Sequence, residues 1–121
     1  MTRTGINLYV DDIRKAPTGW HLARSVSEAI RILDTMLVQY LSVDHDKCHS
    51  EDGKKFACDD TFESVVRFAL RLPKENRPKI ACHSGNPGAY DAYQNLCEQS
   101  GEKLYALDWL MMDIEEDELR K

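Results

Sequence analysis

No apolar stretch of this 121-residue chain approaches the roughly 20 residues a helix needs to cross a bilayer, and no apolar signal region opens it. Both absences point to a soluble protein of the cytoplasm, with no membrane partner. A basic surplus is missing too: 16 Lys and Arg stand against 21 Asp and Glu, a net charge of −5. General binding to DNA or another long polyanion is therefore not expected, because such binders neutralise phosphates with a positive excess. A single phosphate can still be held locally. Cysteine is sparse, with Cys48, Cys58, Cys82 and Cys97 only, and no Cys-x-x-Cys pair occurs. A disulfide scaffold is excluded, and Cys48-His49 and Cys58 lack the paired spacing of structural zinc sites.

The length fits one domain with a sizeable core. Residues 6–10 read as a buried strand, and Pro17 and Gly19 make the stretch that follows a loop too short for a full helix. Residues 20–24 suggest a second strand. Ser25 and Glu28 have the capping-box spacing, and Val26, Ala29, Ile30, Leu33 and Leu37 recur on one helical face. Residues 40–43 form the next strand and residues 47–59 a polar loop. Asp60 and Glu63 repeat the capping spacing ahead of Phe62, Val65, Val66, Ala69 and Leu70, with Pro73 as the stop. After a strand over residues 80–83, Asn86-Pro87 suits a helix start, with Gly101 as its end. Residues 104–107 fit a last strand, although Leu107, Leu110, Met111 and Ile114 also share one helical face. Strands alternating with helices imply a parallel α/β sheet.

The apolar runs end in reactive side chains. Residues 8–10 lead into Asp11-Asp12, residues 40–43 into Asp44-His45-Asp46, and residues 80–82 into His83-Ser84. In an open parallel sheet these ends share one edge, where ligands bind at the switch in strand order. Asp11, Asp12 and Asp44 gathered there would repel one another unless a cation sat between them, and oxygen ligands suit Mg²⁺ or another divalent metal. The alternative is that they cap loops and face solvent. His83 and His45 are candidates for proton transfer at a phosphoryl oxygen, with Asp44 and Asp46 in the same catalytic group. Strand alternation, however, sets His45 opposite Asp44 if the backbone stays extended. Ser84, Gly85 and Asn86 precede a helix whose positive pole suits an anion, and Arg14, Lys15 and Arg24 can add charge-assisted contacts to a phosphate. A simple helix cap is the alternative reading of Ser84 and Asn86.

The ordered set formed by residues 8–14, 23–29, 41–46 and 83–87 resembles the successive motifs of the cyclic-phosphate-processing receiver-like domains of bacteria and phages. The resemblance covers about residues 6–100. It implies a truncated receiver-like, flavodoxin-like parallel sheet flanked by helices, here taken over residues 1–112; the charge run of Asp113, Glu115, Glu116, Asp117 and Glu118 makes residues 113–121 an acidic tail. It places Asp11 and Asp12 at the acidic pair, Asp44 at the phosphoacceptor position and Ser84 at the hydroxyl position after the fourth strand. Two features depart from a signalling receiver: the first helix is missing, and no lysine ends the fifth strand, since Lys103 precedes the apolar run.

The function expected from these features is metal-assisted binding, with hydrolysis as the further step, of a cyclic phosphate on a nucleotide or RNA end. Asp11, Asp12 and Asp44 would hold the metal, and Arg14, Ser84 and Asn86 the phosphate oxygens. The alternative is a non-catalytic receiver-like module, a phage or bacterial regulator or inhibitor, that binds a protein partner through its acidic tail. A phosphoaccepting receiver is a third reading.

Overall fold

Leu8, Val10, Leu41, Val43 and Ile80 are almost fully withdrawn from solvent, and burial on both sheet faces is what parallel pairing of such runs produces. The computed structural model describes residues 5–12, 15–44, 62–83 and 87–107. Its strands are β1 (Ile6–Val10), β2 (His21–Ala23), β3 (Val38–Val43), β4 (Lys79–Cys82) and β5 (Leu104–Ala106), and its α-helices α1 (Val26–Thr35), α2 (Glu63–Arg71) and α3 (Pro87–Gln99). The five strands are parallel in the order β2-β1-β3-β4-β5. This is the expected receiver-like, flavodoxin-like α/β architecture. None of the described helices is long and apolar enough to cross a membrane.

The direction of each crossover decides which face a helix covers. From β2 to β3, β3 to β4 and β4 to β5 the chain steps the same way across the sheet. Crossovers of one hand then put all three helices on one face. Ala29 and Leu33 of α1, Val65, Val66, Ala69 and Leu70 of α2, and Tyr93 and Cys97 of α3 accordingly share one core with Leu8, Val10, Leu41, Val43, Ile80 and Leu104. The step from β1 to β2 runs the other way, so its connection belongs to the opposite face. It holds no described helix, as expected, and its Trp20 packs instead against Tyr40 and Ala81, together with Tyr105 and Leu107. Trp20 also meets Tyr9 edge-on, with ring centroids 6.2 Å apart.

Helix ends follow local chemistry. The Ser25 hydroxyl accepts the Glu28 N–H at 3.2 Å, the N-terminal half of the expected capping box. The helical face was expected to include Leu37, but α1 stops at Thr35 with Met36 as an extended C-cap, leaving Leu37 partly exposed as the chain turns into β3. The expected cap at Asp60 lies outside the described residues. Glu63 is the first residue of α2, and its N-cap is Phe62, with no side-chain cap bond. Burial of Phe62 in the core fixes that start instead of a polar cap. After α3, Gly101 takes φ +74°. Its N–H donates to Glu98 O, and the Glu102 N–H to Cys97 O at 2.8 Å, the paired bonds of a Schellman ending that glycine accommodates without Cβ strain. The ambiguous stretch at residues 104–107 divides: Leu104–Ala106 form β5, and Leu107 after it is helical.

Two core residues carry measurable consequences. Tyr93 is fully buried and its hydroxyl donates to the Asp44 carbonyl at 2.7 Å, tying α3 to the end of β3. Tyr93→Phe should lower unfolding stability by about 1 kcal/mol, read as a shifted urea midpoint at unchanged slope; an unshifted midpoint would show that the bond contributes nothing. Burial, with Glu102 and Glu98 adding repulsion, pushes the Cys97 thiol up from 9.0 to about 11. The folded state thus holds this proton more tightly, so its contribution is complete below pH 9 and is lost as pH rises towards 11. Cys97→Ala should flatten the fall in stability across that interval, and equal slopes in both proteins would refute the assignment.

Candidate functional site

Each candidate side chain lies one or two residues past its strand, where the ladder still holds the backbone. The Asp11 N–H donates to Ala23 O at 3.1 Å, the Asp44 N–H to Val10 O at 2.9 Å and the His83 N–H to Val43 O at 3.3 Å. β1 and β3 are neighbours, and the chain leaves them in opposite directions across the sheet. That is the switch point where a crevice opens beyond the strand ends.

Asp11, Asp12 and Asp44 converge there, with a carboxylate oxygen of each within 4.8 Å of the others. Asp11 and Asp44 are buried and Asp12 is partly so. Two oxygens facing each other across an ion that binds them at about 2.1–2.5 Å lie about 4–5 Å apart, so this donor set can hold a hard divalent cation. All three donors are oxygens, as Mg²⁺, Mn²⁺ or Ca²⁺ requires, with no soft ligand of the kind that marks zinc or copper.

His83 joins the cluster through Asp11. Its Nε2 lies 3.0 Å from Asp11 Oδ2, and its Nδ1 lies 2.7 Å from Ser42 Oγ. A carboxylate accepts and does not donate, so the Nε2 proton points at Asp11. In the neutral ring Nδ1 then accepts the Ser42 hydroxyl. The imidazole also stacks on Tyr9, with centroids 4.0 Å apart and planes 9° from parallel. Only 4% of the His83 side chain and 1% of Asp11 reach solvent. Arg24, exposed just past β2, donates from Nη1 to the Asp11 carbonyl at 3.4 Å and brings a guanidinium to the same edge.

Of the expected site residues, the structure brings Asp11, Asp12, Asp44 and His83 together. His45, Asp46, Arg14, Ser84 and Asn86 lie outside the described residues, as do Cys48, His49, Cys58 and the acidic tail over 113–121. Ser42, Tyr9 and Tyr93 had not been singled out. Alternation along the strands was the available signal for two of them: positions 9 and 11, 42 and 44, and 81 and 83 fall on the same sheet face. The Tyr93 bond to a carbonyl had no local signature. Leu107, not a lysine, follows β5, while Lys103 precedes that strand and sits over the Tyr105 ring at 5.4 Å.

The model of the cyclic-phosphate processing receiver domain matches residues 6–99, a span that runs from β1 through α3. No curated protein and no solved structure matches the chain. The matched span takes in all four residues gathered at the strand ends, and on sequence and architecture alike the chain belongs to the cyclic-phosphate processing receiver domain family.

Proposed function

We propose that this protein binds a cyclic phosphate on a nucleotide or RNA end and hydrolyses it, using Mg²⁺ or a similar divalent ion held by Asp11, Asp12 and Asp44. The observation that carries this reading is the convergence of three carboxylates at the sheet's switch point. Membership of a family of cyclic-phosphate processing domains supplies the substrate class. A bound divalent cation would offset the carboxylate charge, draw in an anionic phosphate and polarise its oxygens.

The reaction needs only water. A water oxygen bonds to phosphorus, one ring P–O ester bond opens, and the proton passes to the released sugar oxygen, leaving a phosphomonoester. Asp11, Asp12 and Asp44 set where the phosphate lies relative to that water. Arg24, whose Nη1 donates to the Asp11 carbonyl, is a further proposed contact for phosphate oxygens. Arg14, Ser84 and Asn86 adjoin the cluster along the chain and complete the proposed phosphate contacts, while His45 and Asp46, directly after Asp44, are the proposed proton carriers. The direct proton transfer expected of His83 fits less well, because both ring nitrogens are engaged inside the protein.

Incubation with 2′,3′-cyclic and 3′,5′-cyclic nucleotides plus Mg²⁺ or Mn²⁺ should release phosphomonoesters, detected by ³¹P NMR. EDTA should stop the release and Asp44→Asn should lower it at least about 100-fold, the scale of losing a group around a metal. If no cyclic nucleotide is opened or bound, the proposal fails. Mn²⁺ alone at about 100 times its dissociation constant should raise stability by about 2.7 kcal/mol, measured as a higher melting temperature. The same addition to Asp44→Asn should do far less, and an equal rise in both proteins would place the ion elsewhere.

A further inference from the structure

We propose that His83 is a positioning residue: the hydrogen-bond chain from Ser42 through His83 to Asp11 sets the Asp11 carboxylate for cation binding, and His83 exchanges no proton with substrate. This inference rests on the reading of the acidic cluster as a divalent-cation site. Carboxylates that ligate metals are ordinarily held by a second group, and the loss of such a group weakens binding. Asp11 has that partner in Nε2 of His83 at 3.0 Å.

The ring is constrained in every direction that matters. Ser42, fully buried on β3, holds Nδ1 at 2.7 Å and sets its rotation about the Cβ–Cγ bond. Tyr9 holds its plane through the parallel stack, and Trp20 packs edge-on against Tyr9 in turn. A general acid or base must reach the atom it serves. An imidazole only 4% exposed, with one nitrogen on Ser42 and the other on Asp11, reaches no substrate without breaking one of those bonds. The same ring suits orientation well, giving Asp11 a directed N–H: the Asp11 carboxylate, which only accepts, sets that proton on Nε2, and the Ser42 hydroxyl pairs with Nδ1.

The test is Mn²⁺ affinity, read from the electron paramagnetic resonance signal of free Mn²⁺, in the wild type and in the His83→Gln, His83→Asn and Ser42→Ala variants. Glutamine sets an amide nitrogen at the distance of Nε2 and can still donate to Asp11, whereas asparagine is too short. Both remove the stack on Tyr9, and asparagine, whose amide reaches only the place of Nδ1, keeps at most the Ser42 contact, so a purely structural role would not favour glutamine over asparagine. Positioning predicts that His83→Asn, which loses the donor to Asp11, weakens Mn²⁺ binding about 10–100-fold, and that His83→Gln and Ser42→Ala, which each keep that donor but lose the Ser42 link, both lie between His83→Asn and the wild type. Equal affinities for His83→Gln and His83→Asn overturn the inference, as does unchanged Mn²⁺ affinity in all variants alongside lost hydrolysis, which would restore His83 as a proton carrier. If His83→Asn does not fold, Ser42→Ala decides, since an unaltered affinity there is equally fatal. Failure of the wild type to bind Mn²⁺ would instead remove the cation site itself, and this inference with it.

Discussion

Repulsion among Asp11, Asp12 and Asp44 is the constraint around which the sheet edge is organised. Two unit charges 4.8 Å apart repel by about 3.5 kcal/mol at an effective dielectric of about 20, and two of these three residues are buried. The fold tolerates the arrangement because surrounding groups hold the acids in place. The Asp11 and Asp44 amides are locked into the strand ladder, the Asp44 carbonyl accepts Tyr93, and the Asp11 carboxylate accepts His83. These bonds orient the acids. Carboxylate oxygens gathered within 4.8 Å of one another could hold a small divalent cation.

The two faces of the sheet divide the labour. The face that carries α1, α2 and α3 is an aliphatic core, built from Leu8, Val10, Leu41, Val43, Ile80 and the helical residues packed on them. The other face is aromatic and polar, with Tyr9, Ser42 and His83 in one connected set and Tyr40, Ala81, Trp20 and Tyr105 beside it. Reversal of chain direction after β1 produces this split. It routes the β1–β2 connection over the face that the helices leave, and with no helix in the described part of that connection, Trp20 supplies the cover. The hydrogen-bonded chain that ends on Asp11 runs through this second face, beside the Trp20 cover.

Much of this was legible beforehand, for identifiable reasons. Strands 6–10 and 80–83 and the helix after Asn86 are marked by unbroken apolar runs and by Pro87 and Gly101, signals that act locally, and the structure follows them closely. The acidic cluster was legible because parallel topology alone sends all strand ends to one edge. Leu37 misled because helical periodicity continues past the point where the chain must turn into β3. The Ser42–His83–Asp11 chain escaped notice because it links residues 41 and 72 positions apart. Only the lateral order of the strands, which no single segment encodes, sets β4 beside β3 and β3 beside β1.

The same lateral order bears on the phosphoacceptor reading. The resemblance to signalling receivers places a lysine at the end of the fifth strand, where a cation can pair with a phosphorylated aspartate. Here Leu107 follows β5, and Lys103, at the opposite end of that strand, lies over Tyr105. A phosphoryl group on Asp44 would add negative charge to a cluster already rich in it, with no lysine at that position to receive it. In place of a cation on β5, this chain puts an imidazole just past β4 and turns it towards Asp11. An edge arranged that way could hold an ion that arrives with its own positive charge, whereas a covalent phosphate would add negative charge to it.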